Sequence, residues 1–157
     1  MKKITSFTVD HDRLLPGMYI SRVDGDVVTY DLRFIKPNTP PYLEPAVMHT
    51  LEPLVATFVR NSKHGGEIVY FGPMGCRTGF YLLTRVTVTR QEAIDLVRQA
   101  LAFTAAFEGE IPGTKPAECG NFQEHDLSGT RAAAATMCAV LEPWTVLDLD
   151  YSDYLEE

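Results

Sequence analysis

The sequence predicts an α+β fold in which helices pack against a mainly antiparallel sheet. Three observations predict it. Residues 28–34 alternate between apolar and polar side chains, residues 65–89 hold two strand-like segments around a glycine-bounded turn, and three other segments repeat apolar residues at helical spacing. With 157 residues the chain has the length of one domain, so we expect residues 1–157 to form a single globular unit.

The first predicted strand has two different faces. Val28, Tyr30, Leu32 and Phe34 point to one face, and the residues between them, including Arg33, point to the other. The alternation predicts a buried face and a polar face, with Arg33 on the polar face.

A helix is predicted from Pro45 to about Asn61. A proline suits the first turn, and the following apolar residues recur at helical spacing: Val47, Leu51, Leu54, Val55 and Phe58. Pro53 lies inside this helix, where it removes one backbone N–H and clashes with the carbonyl of His49, at a cost on the order of 3 kcal/mol. We therefore expect a kink at the face that carries His49.

The next elements are a strand pair and a second helix. The segment PMGCRTG places Cys76 in the tight turn between the two strands. The segment TRQE at residues 89–92 is a capping box, which predicts the start of a second helix.

The last third of the chain combines a long loop with a helix. Residues 108–126 form the loop, whose length favours a functional site. A helix follows over about residues 128–141, with Cys138 on its apolar stripe, where we expect a core residue. The segment WTVLDLDY at residues 144–151 predicts a final strand.

Charge and composition exclude several classes of function. The formal net charge is −7 and the basic residues do not cluster, which argues against binding of nucleic acid. No apolar run approaches the roughly 20 residues that span a bilayer, and the N-terminus lacks the apolar segment of a signal peptide. Three cysteines without a secretion signal argue against a disulfide framework. We therefore expect a cytoplasmic protein with free thiols and no membrane partner.

Four residues on three elements have the chemistry of a metal-assisted active site. His49 and Glu52 are three apart, so they share one helix face. Cys76 in the tight turn and Cys119 in the long loop add two thiols. Nitrogen and sulfur donors suit a soft metal ion, which would leave one thiol and the carboxylate free for proton transfer.

A metalloprotease built on an H-x-x-E-H helix is a weaker interpretation. That motif would place a second histidine directly after Glu52, where this chain has Pro53. Peptide hydrolysis would also leave the cysteines without a role. The broken motif and the short chain therefore disfavour it.

Five blocks of the sequence resemble the S-ribosylhomocysteine lyase (LuxS) family, the bacterial enzymes that make the precursor of an autoinducer in quorum sensing. The blocks are SFTVDHDRLLPGMYI, YDLRFIKPN, MHTLEPLVATFVRN, GPMGCRTGFYL and ECGNFQEHDL, which follow one another across nearly the whole chain. PMGCRTG together with ECGN is the most specific pair. The resemblance implies an α+β homodimer with two active sites at its interface.

The resemblance also implies a divalent metal in each site, iron(II) in the working enzyme, with zinc or cobalt as substitutes. The family binds this metal with two histidines and one cysteine. By motif, the first histidine is His49 and the cysteine is Cys119. The second histidine falls on Pro53, which cannot bind a metal.

The same resemblance implies a reaction and the residues that perform it. Family members convert S-ribosylhomocysteine to homocysteine and dihydroxypentanedione by two aldose–ketose proton shuttles and a β-elimination of the thiol, as part of methionine metabolism in the activated methyl cycle. Cys76 and Glu52 match the acid/base thiolate and carboxylate. Ser6, His11 and Arg33 match positions that hold the substrate.

Pro53 leaves three explanations open. The chain is a variant that recruits another ligand, a metal-poor non-catalytic homologue that keeps the dimer and binds substrate without turnover, or an altered form of an ordinary lyase. His125, on the same loop as Cys119, is a better replacement ligand than His64, which lies far along the chain from His49 on the same element. We favour the lyase because the acid/base pair and the substrate-binding residues are retained.

Overall fold

Helices pack against a four-stranded antiparallel sheet, which confirms the predicted α+β class. The computed structural model describes residues 4 and 7–155, so the expectation for Ser6 lies outside the described residues. Its strands and longer helices are, in chain order, β1 (Gly17–Asp24), β2 (Val27–Arg33), α1 (Pro45–Arg60), β3 (Ile68–Pro73), β4 (Gly79–Arg85), α2 (Arg90–Ala105) and α3 (Leu127–Leu141). The strands lie in the order β1-β2-β4-β3, and each neighbouring pair is antiparallel.

Strand β1 is the element that the sequence pattern does not reveal. Met18, Tyr19 and Ile20 are consecutive apolar residues, so they do not alternate as a half-buried strand would. Met18 and Tyr19 are nevertheless both buried, because both faces of the sheet are covered here. A tight turn at Gly25, whose φ of 60° lies in the region that favours glycine, joins β1 to β2.

Both faces of β2 are buried, which corrects the expected contrast between a buried face and a polar face. Tyr30 and Leu32 lie in the main core with α1 and α2. Arg33, on the other face, is only 3% exposed. That face lies beneath residues from both ends of the described chain. Val9, Leu14 and Tyr151 form a second buried cluster there with Tyr19 of β1. The alternation of apolar and polar residues within β2 cannot predict that segments far along the chain bury its polar face.

The helix predicted from Pro45 is confirmed. It runs without interruption to Arg60, through Pro53, and its buried residues are Val47, Met48, Thr50, Leu51, Leu54, Val55 and Val59. This long apolar stripe packs against β3, α2 and α3 and offsets the hydrogen bond that Pro53 cannot make.

Helix α2 begins at the predicted capping box. The Thr89 hydroxyl accepts the backbone N–H of Glu92, and the Glu92 carboxylate accepts the backbone N–H of Thr89.

The predicted final strand is wrong. Residues 146–149 form a short 3₁₀ helix, Val146–Leu149, because Thr145 and Asp148 make a second capping box that starts a helical turn. The apolar stripe of α3 is confirmed at Ala134 and Leu141, which are fully buried. Cys138 is only partly buried and lines an open groove beside α2, so it is less enclosed than expected.

Among the described residues, no single helix is long and apolar enough to cross a membrane. One pair, α3 together with Val146–Tyr154, passes that test jointly by length and composition, and it is bent by 112°.

Candidate active site

An open cavity separates α1 from the turn between β3 and β4. Its volume is about 330 Å³, and residues of α1 and of that turn line it: Pro45, Met48, His49 and Glu52 on one side, Pro73, Met74, Gly75 and Arg77 on the other. Cys76 lies between two of these lining residues and is exposed. The predicted three-residue spacing therefore brings His49 and Glu52 to the same cavity, which the Cys76 turn also borders.

The turn that carries Cys76 is fixed by backbone hydrogen bonds. Arg77 has a φ of 61°, and its N–H donates to the carbonyl of Met74 at 3.0 Å. The carbonyl of Thr78 accepts the N–H groups of Phe34 and Ile35 at 2.9 and 3.0 Å. The turn is thus tied to the segment that follows β2.

Gly79 allows the turn to approach β2 closely. A Cβ added at Gly79 would lie 2.2 Å from the carbonyl oxygen of Leu32. Only glycine permits this approach, which places Thr78 beside Arg33.

His49 and Cys119 meet in the structure. The Nε2 atom of His49 lies 3.3 Å from Sγ of Cys119, and its Nδ1 atom lies 2.7 Å from the carbonyl oxygen of Glu124. Because a carbonyl only accepts, Nδ1 carries a hydrogen, and Nε2 is the ring nitrogen that faces the sulfur. The N–H of Asn121 also donates to Sγ of Cys119, at 3.4 Å.

Thr50 fixes the end of the long loop to α1. Its hydroxyl donates to the carbonyl of Ala46 at 2.8 Å and accepts the N–H of Asp126 at 2.9 Å. The same oxygen lies 3.1 Å from Nδ1 of His125. His125 therefore stacks on His49, with ring centroids 4.3 Å apart and 18° between the ring planes. Burial lowers the pKa of His125, and the neighbouring His49 lowers it further.

His11 and Arg33 lie together in a second, much smaller pocket of about 10 Å³, on the face of β2 away from the helices. His11 is held by its Nδ1 atom, 2.8 Å from the carbonyl of Val9. Arg33 donates to the carboxylate of Asp31 and, at 2.6 Å, to the hydroxyl of Thr78. Burial opposes the charge of Arg33, but the Asp31 carboxylate outweighs it and raises the pKa of Arg33. The roles of both residues in substrate binding stay predictions.

The chain matches a family model described as S-Ribosylhomocysteinase (LuxS) over residues 4–145, which is most of its length. The chain belongs to the LuxS family. Three relatives named S-ribosylhomocysteine lyase agree with this assignment. The relative from Phocaeicola vulgatus is 44% identical over 157 residues, which cover 96% of this chain and 98% of the relative. The relative from Clostridium acetobutylicum is 48% identical over 132 residues, covering 81% and 84%. The relative from Borreliella afzelii is 44% identical over 146 residues, covering 90% and 93%.

The metal-ligand set implied by the LuxS family fits this chain in two of its three positions. His49 and Cys119 converge, and the hydrogen bond from Nδ1 to a carbonyl is the arrangement that orients a metal-binding histidine. At the third position Pro53 offers no donor atom. Within residues 4 and 7–155, no group of three His, Cys, Asp or Glu side chains is placed to hold a metal ion. His125 is therefore a stacked neighbour of the pair and not a third donor in this arrangement.

Several residues that build this LuxS-family site were missed by the sequence analysis. Thr50 and Thr78 connect distant elements through their hydroxyls, and nothing in their local sequence predicts those partners. The position of Asp31 was predictable, because it lies two residues before Arg33 and residues two apart on a strand share a face. The contact of Tyr151 was not predictable from a local pattern, since Tyr151 reaches Asp31 from the C-terminal segment.

Proposed function

We propose that this chain is an S-ribosylhomocysteine lyase, a carbon–sulfur lyase that cleaves S-ribosylhomocysteine to homocysteine and dihydroxypentanedione. Membership of the LuxS family and the names of its relatives support the proposal. The single observation that carries it is the cavity between α1 and the Cys76 turn, lined by His49 and Glu52. Its volume of about 330 Å³ suits a ligand of the size of a ribose joined to an amino acid.

The proposed chemistry is a series of proton transfers that ends with cleavage of a carbon–sulfur bond. One base removes a proton from the hydroxyl-bearing carbon beside the carbonyl and returns it to the carbonyl carbon. A proton also passes from that hydroxyl to the carbonyl oxygen, so the carbonyl moves by one carbon along the chain. After two such transfers, removal of one more proton expels the thiolate of homocysteine, which is then protonated. The double bond that remains is an enol, which tautomerises to dihydroxypentanedione. We assign these transfers to the Cys76 thiolate and the Glu52 carboxylate, which approach the cavity from opposite walls.

We propose that an iron(II) ion, replaceable by zinc or cobalt, is held by His49 and Cys119. When bound there, such an ion would supply a Lewis acid to polarise the sugar carbonyl. Support comes from the 3.3 Å separation of the two donor atoms and from their softness, which suits such metals.

We further propose a cytoplasmic homodimer in which each copy helps to close the other's cavity. The openness of that cavity on one side supports this arrangement, as does the dimer implied by the family resemblance. The product would serve as an autoinducer precursor in quorum sensing, and the reaction would return homocysteine to methionine metabolism through the activated methyl cycle. The net charge of −7 supports a partner other than nucleic acid.

The first experiment measures release of homocysteine from S-ribosylhomocysteine by protein purified without air and supplied with iron(II). Homocysteine is quantified by mass spectrometry after removal of the protein, so the protein's own thiols do not interfere. Cys76→Ala is the blank. Cys138→Ala, at a cysteine away from the cavity, is the matched control.

Release by the wild type and by Cys138→Ala, but not by Cys76→Ala, is the expected result. Equal release by Cys76→Ala would remove the thiol from the mechanism. Tight binding of S-ribosylhomocysteine without any release would instead identify a homologue that binds the substrate without turnover. Sedimentation equilibrium on the same protein tests the homodimer, which a monomer at micromolar concentration would contradict.

A further inference from the structure

The C-terminal segment reaches the buried face of β2 through Tyr151. This residue lies beyond residue 145, where the match to the family model ends, and it is 8% exposed. Its ring stacks on Tyr19, with centroids 5.0 Å apart and 18° between the planes. Its hydroxyl donates a hydrogen bond to Oδ2 of Asp31.

From Asp31 a continuous series of hydrogen bonds leads to Cys76. The same Oδ2 atom accepts from the Arg33 guanidinium, whose Nη1 atom donates to the Thr78 hydroxyl at 2.6 Å. Sγ of Cys76 lies 3.1 Å from that hydroxyl. Two of these contacts cross between segments, from Tyr151 to Asp31 and from Arg33 to Thr78, so a group in the C-terminal segment is connected to an exposed thiol at the cavity.

The direction of these bonds favours a thiolate at Cys76. A guanidinium only donates, so the Thr78 oxygen must accept from Arg33. A hydroxyl that accepts from a cation is a stronger donor, and its own hydrogen is then available to the sulfur. The positive charge of Arg33 also favours the thiolate, because Arg33 and Cys76 interact electrostatically.

Asp31 depends on Tyr151 because its carboxylate has few other partners. Asp31 is 2% exposed, and its Oδ1 atom has no hydrogen-bond partner within the described residues. Without the Tyr151 hydroxyl, the Asp31 carboxylate would keep the hydrogen bond from Arg33 at Oδ2. The guanidinium would be drawn towards Asp31 and away from Thr78.

We propose that Tyr151 is a positioning residue for the acid/base thiol: through Asp31 it holds Arg33 against Thr78, and Thr78 in turn stabilises the thiolate of Cys76. This inference rests on the proposed function for the catalytic role of Cys76. The connection itself does not depend on that role.

Other titratable and charged groups lie around this series. Arg22 of β1, Tyr81 of β4 and His11 of the N-terminal segment surround Asp31 and Arg33. At the cavity that the Cys76 turn borders, the groups are Arg77 of the turn and His49 and Glu52 of α1. None of them changes in the variant that tests the proposal, because Tyr151→Phe removes one hydroxyl and keeps the ring.

The experiment follows alkylation of Cys76 by iodoacetamide as a function of pH in Tyr151→Phe and in the wild type. Peptide mass spectrometry separates the three cysteines, so Cys138 serves as an internal reference. Tyr154→Phe is the matched control, because it removes a hydroxyl from the same segment that makes no bond to Asp31.

We expect Tyr151→Phe to move the midpoint of the Cys76 profile to higher pH. At pH values below the midpoint its alkylation rate should fall about threefold to tenfold, as for a midpoint shift of roughly half a unit to one unit. The Cys138 profile and the Tyr154→Phe protein should be unchanged. An unshifted Cys76 profile in Tyr151→Phe, or an equal shift in Tyr154→Phe, would overturn the proposal.

If Tyr151→Phe does not fold, Thr78→Val decides the question, with Thr78→Ser as the variant that keeps the hydroxyl. Slower alkylation in Thr78→Val and a normal profile in Thr78→Ser support the connection, and equal profiles overturn it. Lyase kinetics separate this proposal from the proposed function. A wild type that releases no homocysteine contradicts the lyase, whereas a fall in kcat at constant KM in Tyr151→Phe agrees with both.

Discussion

Sγ of Cys119 lies 3.3 Å from Nε2 of His49, although 70 residues separate them in the chain. The loop that carries Cys119 has no helix or strand of its own between α2 and α3. Its position must therefore come from side-chain contacts at its ends. At the site, Nδ1 of His49 binds the carbonyl of Glu124, and Thr50, the following residue, binds the N–H of Asp126 and Nδ1 of His125.

Thr50→Val should loosen this loop while keeping the shape of the buried side chain. Thr50 is fully buried, and the change leaves the N–H of Asp126 and Nδ1 of His125 without their partner. We expect the free energy of unfolding to fall by about 1–3 kcal/mol. Urea unfolding measures this loss, and hydrogen exchange should show faster exchange around Cys119.

Thr136→Val is the control for that change, because the exposed Thr136 hydroxyl bonds only within its own helix. If Thr50→Val and Thr136→Val lower the free energy of unfolding equally, the contact between Thr50 and the loop contributes no more to stability than a hydrogen bond within one helix.

Glu52→Gln should lower turnover and leave the fold intact. Glu52 is partly exposed at the cavity, so the neutral amide occupies the same space. Loss of a general acid/base group should reduce kcat about 10²- to 10⁴-fold. Homocysteine release measures the effect, and Glu142→Gln, at an exposed carboxylate directly after α3, is the control. Near-normal kcat in Glu52→Gln would assign the second proton transfer to another group.

The fold was predictable where the local sequence of a segment determines its secondary structure. Helix α1 followed from its apolar spacing and α2 from its capping box, and both were confirmed. The turn at Cys76 followed from its glycines. Strand β1 was not predictable in this way, because its burial on both faces depends on segments far along the chain.

The candidate site shows the same contrast: its reactive side chains were predictable from the sequence, and the contacts that position them were not. Its chemistry was visible, since His49, Glu52, Cys76 and Cys119 have recognisable side chains and the first two share a helix face. The contacts that hold these groups were not visible. Thr78 and Tyr151 act through hydroxyls on partners that only the folded chain brings near, so no local pattern marks them.

The capping box of α2 should make a pH-dependent contribution to stability. Hydrogen bonds from the backbone and side chain of Thr89 lower the pKa of Glu92 below its ordinary value of 4.5. A carboxylate whose pKa is lower in the folded state stabilises the fold above its unfolded pKa. That contribution is lost as the pH falls through the folded pKa.

Glu92→Gln should therefore be less stable than the wild type at pH 7, and the difference should shrink at pH values below about 4.5. Urea unfolding at pH 7 and at several acid pH values measures the difference. Glu142→Gln controls for the loss of one negative charge. A difference that is constant over this whole range would show that protonation of Glu92 is not linked to folding.

Two substitutions at Pro53 separate its two effects, the missing metal donor and the missing hydrogen bond of the helix. Pro53→Ala removes the ring and restores a backbone N–H, so we expect the free energy of unfolding to rise by about 1–3 kcal/mol without any gain in metal binding. Pro53→His restores the same N–H and adds an imidazole one helical turn from His49. Comparing the two variants isolates the effect of the imidazole.

Titration with cobalt(II) should show this effect directly. We expect Pro53→His to bind cobalt at least about tenfold more tightly than Pro53→Ala, a difference of about 1.4 kcal/mol or more. Because cobalt bound to a thiolate absorbs light, a change in the spectrum on Cys119→Ser would confirm that the ion lies beside Cys119. Equal affinity in Pro53→Ala and Pro53→His would mean that the position does not face the His49–Cys119 pair. Cobalt affinity in the wild type equal to that of Pro53→His would mean that two protein donors already suffice, since the described residues hold no group of three.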